Sequence, residues 1–394
     1  MTNLSNVISD EIRVELTDRL IPFWKGLRDD VHGGYVGRVD YDLTPRPEAD
    51  KGSIQNSRIL WFFSEAYLLL GDSTLLDEAA HAYEMLCRMT DKDNGGVYWL
   101  LHADGEVADG TKHTYAQAFA IYGLSAYYRA SGRKEALERA MTLFRLIEKN
   151  CRDADGYLEQ FTADWKPEFN EKLSEHGVNA ERTMNTLLHV MEAYTGLYQA
   201  EPDEDVKKCL YEILDIFETK IYNPEKRRQE VFFDRNYRSL IDLHSFGHDI
   251  ETSWLTEKTL ECLGDDALTA RIRPILLSMA DCTYHAAMSD HGFANEQEGE
   301  KIDTRRCWWV QAEALLGFLN AYEKTGETRY RDAVLTQWKY IRDTVKDARP
   351  GGEWFRTVYE SGEPMIEPIT DPWKAPYHNG RMAMEFLRRN PDLG

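Results

Sequence analysis

His248 and Glu251 stand three residues apart in Ser245-Phe246-Gly247-His248-Asp249-Ile250-Glu251-Thr252-Ser253-Trp254, a stretch with a polar opening and an apolar continuation. On a helix that spacing puts both side chains on one face. A carboxylate beside an imidazole favours the imidazolium and makes a tuned acid/base group. The same residues also suit an exposed helix start, where acidic side chains complement the dipole, so the stretch needs support from elsewhere. A second histidine, His378, follows the proline-stiffened segment Asp371-Pro372-Trp373-Lys374-Ala375-Pro376-Tyr377. Two histidines from separate elements, one of them paired with a carboxylate, suit proton transfer on two faces of a substrate.

Other chemistry-bearing residues fall in helical patterns. Arg58 precedes the apolar run Ile59-Leu60-Trp61-Phe62-Phe63. A guanidinium beside buried residues must be paired with an acid or face a cavity, and in the second case it can stabilise an oxyanion. Tyr115 lies in His113-Thr114-Tyr115-Ala116-Gln117-Ala118-Phe119, where a tyrosine is commonly core and its signal alone is weak. Asn185 and His189, at i and i+4, are either a satisfied polar pair or part of a site. Trp308 and Trp309 precede Gln311 and Glu313. Adjacent helical residues point in different directions, so one of the two tryptophans is expected to face a site. Such rings suit the C–H faces of sugars, with amides and carboxylates for the hydroxyls; plain core packing is the alternative. His-x-x-Glu could supply two metal ligands, but H-E-x-x-H, C-x-x-C, phosphate-binding glycine loops and the G-x-S-x-G elbow are all missing. No metal and no cofactor is expected.

The elements that must position these residues are helices. Periodicity predicts them over about 5–29, 55–70, 74–90, 113–131, 133–150, 178–199, 203–220, 247–263, 266–287, 307–325, 327–344 and 378–389. Between pairs lie turn-rich, strand-like inserts such as Asp91-Lys92-Asp93-Asn94-Gly95-Gly96-Val97-Tyr98-Trp99. Helix, insert, helix recurs six times, with a period longer than the common solenoid repeats. Six helix pairs form either an open solenoid or a closed double ring. Without a Pro/Ser-rich linker, the expectation is one closed domain over residues 1–394. The unusual residues cluster near the start of the second helix of each pair: Asn56, Arg58 and Trp61; His113 and Tyr115; Asn185 and His189; His248 and Glu251; Trp308 and Trp309; His378, Asn379 and Arg381. In a double ring those six starts share one end and converge on one pocket.

The formal charge is −21, from 47 Lys and Arg against 68 Asp and Glu. That balance argues against nucleic acid and anionic membrane surfaces as partners. Aromatic residues make up 12% of the chain, ample for gripping a flat amphipathic ligand. Six scattered cysteines read as core thiols of a reducing compartment. No signal-peptide core opens the chain, and the apolar runs are too short to span a bilayer. A cytoplasmic monomer is expected.

Four stretches together resemble the N-acylglucosamine 2-epimerase superfamily, most closely its cellobiose 2-epimerase branch: Ser245 to Glu251, Met184-Asn185-Thr186-Leu187-Leu188-His189, Trp308-Trp309-Val310-Gln311-Ala312-Glu313 and Trp373-Lys374-Ala375-Pro376-Tyr377-His378. The resemblance implies an all-α (α/α)6 barrel of twelve helices with short β-hairpin inserts. It implies cofactor-independent epimerisation at C2 of a reducing-end glucose in a small disaccharide. On that analogy His248 and His378 are the acid/base pair, Glu251 supports His248, and Arg58 stabilises the intermediate. Tyr115, Asn185, His189, Trp308 or Trp309, Trp373 and Glu296 bind sugar. A mannose isomerase, an N-acylglucosamine 2-epimerase, an (α/α)6 glycoside hydrolase and a sugar-binding scaffold are the alternatives. The hydrolase needs two opposed carboxylates, whereas histidines dominate the expected rim.

Overall fold

The computed structural model describes residues 4–170, 172–173 and 176–393. Its helices form two concentric rings. The inner ring is Ser53–Leu70, Thr114–Ser131, Met184–Ala200, Phe246–Leu263, Trp308–Thr325 and His378–Arg389. Each packs on the next and the sixth returns to the first, so the ring is closed. The outer ring is residues 4–25, with a π-helical turn at Glu15–Leu20, then Ser73–Arg88, Lys134–Leu146, Glu204–Ile216, Asp266–Ala287 and Thr328–Tyr340. The fold is the (α/α)6 barrel expected from the sequence. No helix among the described residues is long and apolar enough to cross a membrane.

Local sequence explains the division into rings. Inner helices are buried almost all round; Ser53–Leu70 has only its last turn partly open. Outer helices bury one stripe, as in Ser73–Arg88 with Leu75, Ala79, Ala82, Tyr83 and Leu86. Four inner helices end on a left-handed glycine, Gly71, Gly132, Gly264 and Gly326, and the outer helix begins within two residues. A glycine there spares the Cβ clash and turns the chain back at once. Where inner helices cross closely, glycine also admits the neighbouring backbone. A Cβ on Gly123 would lie 2.6 Å from the Ser57 carbonyl oxygen.

The inserts line the end of the barrel where inner helices begin. Local hairpins are present, for example Leu100–Leu101 with Val107–Asp109. A second set of pairings joins successive inserts. The strand before each inner helix pairs with the insert of the next unit: Lys51–Gly52 with Leu100–Leu101, Lys112–His113 with Gln160–Phe161, Arg182–Thr183 with Phe232–Phe233, Leu243–Ser245 with Glu296–Glu298, and Arg306–Cys307 with Thr357–Val358. A bridge from Val39 to Thr370 completes the circuit. This pairing corrects the expected start of the third inner helix, which begins at Met184 rather than near 178. Arg182–Thr183 is held extended by Phe232–Phe233, and the Thr183 hydroxyl accepts from the Thr186 amide at 3.0 Å, capping the helix.

A polar clamp repeats with the strands. Lys51, Lys112, Arg182, His244 and Arg306 each stand two residues before an inner helix. Lys51 pairs with Asp29 at 2.6 Å, Lys112 with Asp91 at 2.9 Å, Arg182 with Asp153 at 2.6 Å and His244 with Asp249 at 2.9 Å. Arg306 donates to the His291 carbonyl at 2.7 Å. In the sixth unit Lys374 pairs with Glu353. Asp29, Asp91 and Asp153 also accept backbone amides of their own tight turns, so these three clamps each tie a turn to a helix start. One hydrophobic core runs from Ile8 to Leu393, and the Leu393 amide donates to the Ser5 hydroxyl at 2.7 Å.

Candidate active site

The six inner helices open onto one cavity of about 440 Å³. Eleven residues named from the sequence as catalytic or sugar-binding border it: Arg58, Tyr115, Asn185, His189, His248, Glu251, Glu296, Trp308, Trp309, Trp373 and His378. Asn56, Trp61, His113, Asn379 and Arg381, expected at the same pocket, do not line it, and Trp61 borders a second cavity instead. Both tryptophans line it, contrary to the expectation that only one would. The cavity lies across the start of their helix, so successive side chains border it from two sides. Trp309 packs on both histidine rings, with centroids 4.7 Å from His248 and 5.5 Å from His378.

His378 caps a buried charge network. Its Nδ1 is 2.7 Å from Glu313 Oε1. Glu313 Oε1 also accepts from Arg381 at 2.7 Å, and its Oε2 accepts from Trp254 Nε1 at 2.9 Å. The donors Arg381 and Trp254 favour the ionised form of Glu313, and against a carboxylate His378 donates through Nδ1 and keeps a lone pair on Nε2. Burial, then the charges of Arg58 and Arg381, holds the imidazole well below its ordinary pKa and therefore neutral. Burial also raises Glu313, against the pull of Arg381.

His248 is wired differently, and the expected partnership with Glu251 is not formed. Its Nδ1 lies 2.7 Å from the Ser245 hydroxyl. Glu251 bonds instead to Arg381 through Oε1, which is 3.9 Å from His378 Nδ1. The guanidinium wins because a full positive charge attracts a buried carboxylate more than a neutral imidazole does. Burial, then the nearby His189, lowers His248 to about 3. Burial, then Glu313, raises Glu251 to about 7 despite Arg381. Among the described residues, Glu251 Oε2 has no hydrogen-bond partner, nor has Asn185 Oδ1. Gly247 gives Trp309 room beside His248; a Cβ there would meet the indole at 2.6 Å.

Among the described residues, Arg58 meets no carboxylate. It donates to the Trp373 carbonyl at 2.6 Å and the Tyr115 hydroxyl at 2.9 Å, and it lies over the Phe119 ring at 4.3 Å. A cation so held, with neutral partners, is available to a developing anion in the cavity. Burial, opposed by Arg58, pushes Tyr115 up to about 12. His189 stacks edge-on to Tyr115 at 5.0 Å, and its Nδ1 is 2.9 Å from Glu192 Oε2. Trp373 packs against Trp99 at 5.3 Å. Glu296 lies 3.4 Å from His176 at the rim.

Sequence reasoning did not single out Glu192, Glu313 or Ser245 as site residues, and it left Arg381 without a role. The carboxylates had a readable signal, since each interrupts an apolar helix interior where charge must be compensated. The group Glu251, Glu313 and His378 offers three donor atoms within 4.8 Å of one another, the arrangement of a metal site. Here the Arg381 guanidinium bonds both carboxylates and supplies the positive charge.

The fold and site can be set against known proteins. The model of the family described as N-acylglucosamine 2-epimerase (GlcNAc 2-epimerase) matches residues 33–380. The cellobiose 2-epimerase of Eubacterium cellulosolvens is 46% identical, covering 96% of this chain and 98% of its own. A crystal structure described as a sugar epimerase from a ruminal bacterium superposes with a TM-score of 0.96 at 45% identity, covering 98% of this chain and 99% of that one. The structure of cellobiose 2-epimerase from Bacillus thermoamylovorans B4167 gives 0.94 at 42% identity, with 98% and 100% covered. A likeness that runs the length of the barrel, through every helix start that faces the cavity, leaves one assignment: the chain belongs to the N-acylglucosamine 2-epimerase family.

Proposed function

We propose that the chain is a cellobiose 2-epimerase, inverting C2 of the reducing-end glucose of β-1,4-linked disaccharides such as cellobiose and lactose to give the mannose-ended epimers. The observation that carries this reading is the pairing of two neutral imidazoles, His248 and His378, with an arginine that no carboxylate neutralises. The cavity has the volume for a two-ring sugar, and the relatives at 42–46% identity bear this name.

The sugar ring opens to the aldehyde, which makes the C2 hydrogen acidic. One histidine takes that proton; the C2–H electron pair forms the C1–C2 double bond, and the carbonyl pair moves onto oxygen. Arg58 holds the resulting cis-enediolate by its charge. A proton taken up from solvent charges the other histidine, which gives it to the opposite face of C2 as the double bond reopens to the carbonyl; the first histidine releases its proton to solvent, and the ring closes. The two histidines exchange roles with the direction of reaction. Arg381 and Glu313 fix His378. Glu251 Oε2 and Asn185 Oδ1 accept sugar hydroxyls, Tyr115, His189 and Glu296 complete the polar contacts, and Trp308, Trp309 and Trp373 cover the C–H faces. The unbroken core supports one catalytic domain, the −21 charge a monomer acting on a neutral sugar without nucleic acid or anionic membrane, and the six free cysteines a reducing, cytoplasmic location.

Proton NMR of cellobiose with the enzyme in deuterated water tests the reading. Mannose-ended product carrying deuterium at C2 is expected. Turnover of free mannose or N-acetylglucosamine with cellobiose untouched would move the substrate to another sugar, and release of glucose would replace epimerisation by hydrolysis.

A further inference from the structure

Glu192 contacts the cavity chemistry only through other side chains, yet it gathers more of them than any reaction step above requires. It sits on the inner helix Met184–Ala200, three residues after His189. Oε2 accepts from His189 Nδ1 at 2.9 Å and from the Tyr377 hydroxyl, while Oε1 accepts from Arg381 Nη1. Arg381 Nη2 in turn binds Glu251 and Glu313, and Glu313 binds His378. The far side of Glu192 borders a separate cavity of about 430 Å³ toward the other end of the ring, between Trp61, Tyr122 and Lys258. Burial would raise this carboxyl, but Arg381, then His189 and Tyr377, bring it down to about 2, so it is an acceptor only.

We infer that Glu192 is a positioning residue for the reaction, holding His189 with Nδ1–H turned inward and Nε2 toward the sugar, and bracing the Arg381 that carries Glu313 and His378. An ionised carboxylate accepting from Nδ1–H keeps a proton on that nitrogen and fixes the ring's orientation. Without that charge His189 is free to exchange tautomers, and Arg381 loses one of its three carboxylates. The sugar-covering tryptophans and Asn185 are untouched, so affinity loses at most the one His189 contact, while turnover also loses the bracing of His378. This inference rests on the epimerase reading for its kinetic arm but not for its spectroscopic one.

The test is Glu192→Gln, which keeps the shape and removes the charge. With the sugar that the parent enzyme turns over, kcat is expected to fall more than about tenfold while KM stays within about threefold. Nitrogen-15 spectra of histidine-labelled protein, taken without substrate, are expected to show His189 as a single Nδ1–H tautomer in the parent and as a mixture in the variant. Unchanged kcat in the folded variant overturns the inference, as does a kcat loss with the His189 tautomer unaltered. Failure of the parent on every sugar would instead sink the epimerase reading and leave the tautomer result standing. If Glu192→Gln does not fold, Glu192→Asp takes its place: it keeps the charge but withdraws it by one methylene, and the same two readings decide.

Discussion

His248 and His378 begin two different inner helices and face the same cavity, yet their inward nitrogens meet unlike partners. Behind His378 stands a carboxylate whose other contacts are Arg381 and Trp254. Against that carboxylate, ionised beside Arg381, the His378 proton sits on Nδ1. Behind His248 stands the Ser245 hydroxyl at 2.7 Å, which can donate or accept. One imidazole is fixed in tautomer and orientation; the other can adjust its tautomer to whichever step it serves. A reversible transfer between two faces of a carbon needs both to change protonation state, so the contrast locates rigidity at His378 and adaptability at His248.

The largest effect should come from removing either ring. His248→Asn and His378→Asn are each expected to cut epimerisation by about 10²–10⁴-fold. Each should still exchange the C2 proton of one epimer, and of opposite epimers, in deuterated water. A single variant that exchanges both epimers would remove that histidine from the pair. The partners come next. Glu313→Gln should lower kcat about 10²-fold because a neutral amide no longer balances Arg381 beside His378. Ser245→Ala should cost less than about tenfold, since water can replace an adaptable hydroxyl. Equal losses in steady-state kinetics would erase the distinction between the two histidines.

The smallest effect is on stability. Glu251 is raised to about 7 in the folded chain from 4.5. Below about pH 4.5 it is protonated folded or unfolded; as pH climbs through 7 the folded form must carry a buried charge that the unfolded form carries in water, and stability is lost. Glu251→Gln should therefore melt about 2 °C above the parent near pH 8, with the gap closing toward pH 5. A gap that stays constant with pH would mean that the charge of Glu251 is not its source.

Much of this was legible in the chain. Periodicity placed the helices, and the Gly71, Gly132, Gly264 and Gly326 stops separate inner from outer members because only glycine turns cheaply there. The convergence of Arg58, Tyr115, Asn185, His248, Trp308 and His378 followed from their shared position at helix starts. What stayed hidden depends on ring closure. Arg381 meets Glu251 and Glu313 across 130 and 68 residues of chain, and no local spacing announces such a partner. The same blindness produced the His248–Glu251 pairing: i and i+3 brings two groups to one face, but a third charge from another helix decides what they bind. The strand pairs between successive inserts were missed likewise, being two or three residues long and non-local.

The clamps ahead of the inner helices have a consequence for how length can vary in this barrel. Lys51, Lys112, Arg182 and Arg306 stand two residues before their helices and are each locked to a partner outside the helix. From there the helix advances about 100° per residue. The interval between clamp and pocket therefore acts as a phase setting. One residue gained or lost between Arg306 and Trp308 would swing the tryptophans by more than a quarter turn and aim their neighbours at the cavity, with the barrel otherwise whole. Insertions before the clamps, in the loops of the inserts, leave that phase alone. Substrate range in such a barrel is free to drift by growing its loops, while the reacting centre keeps its bearing.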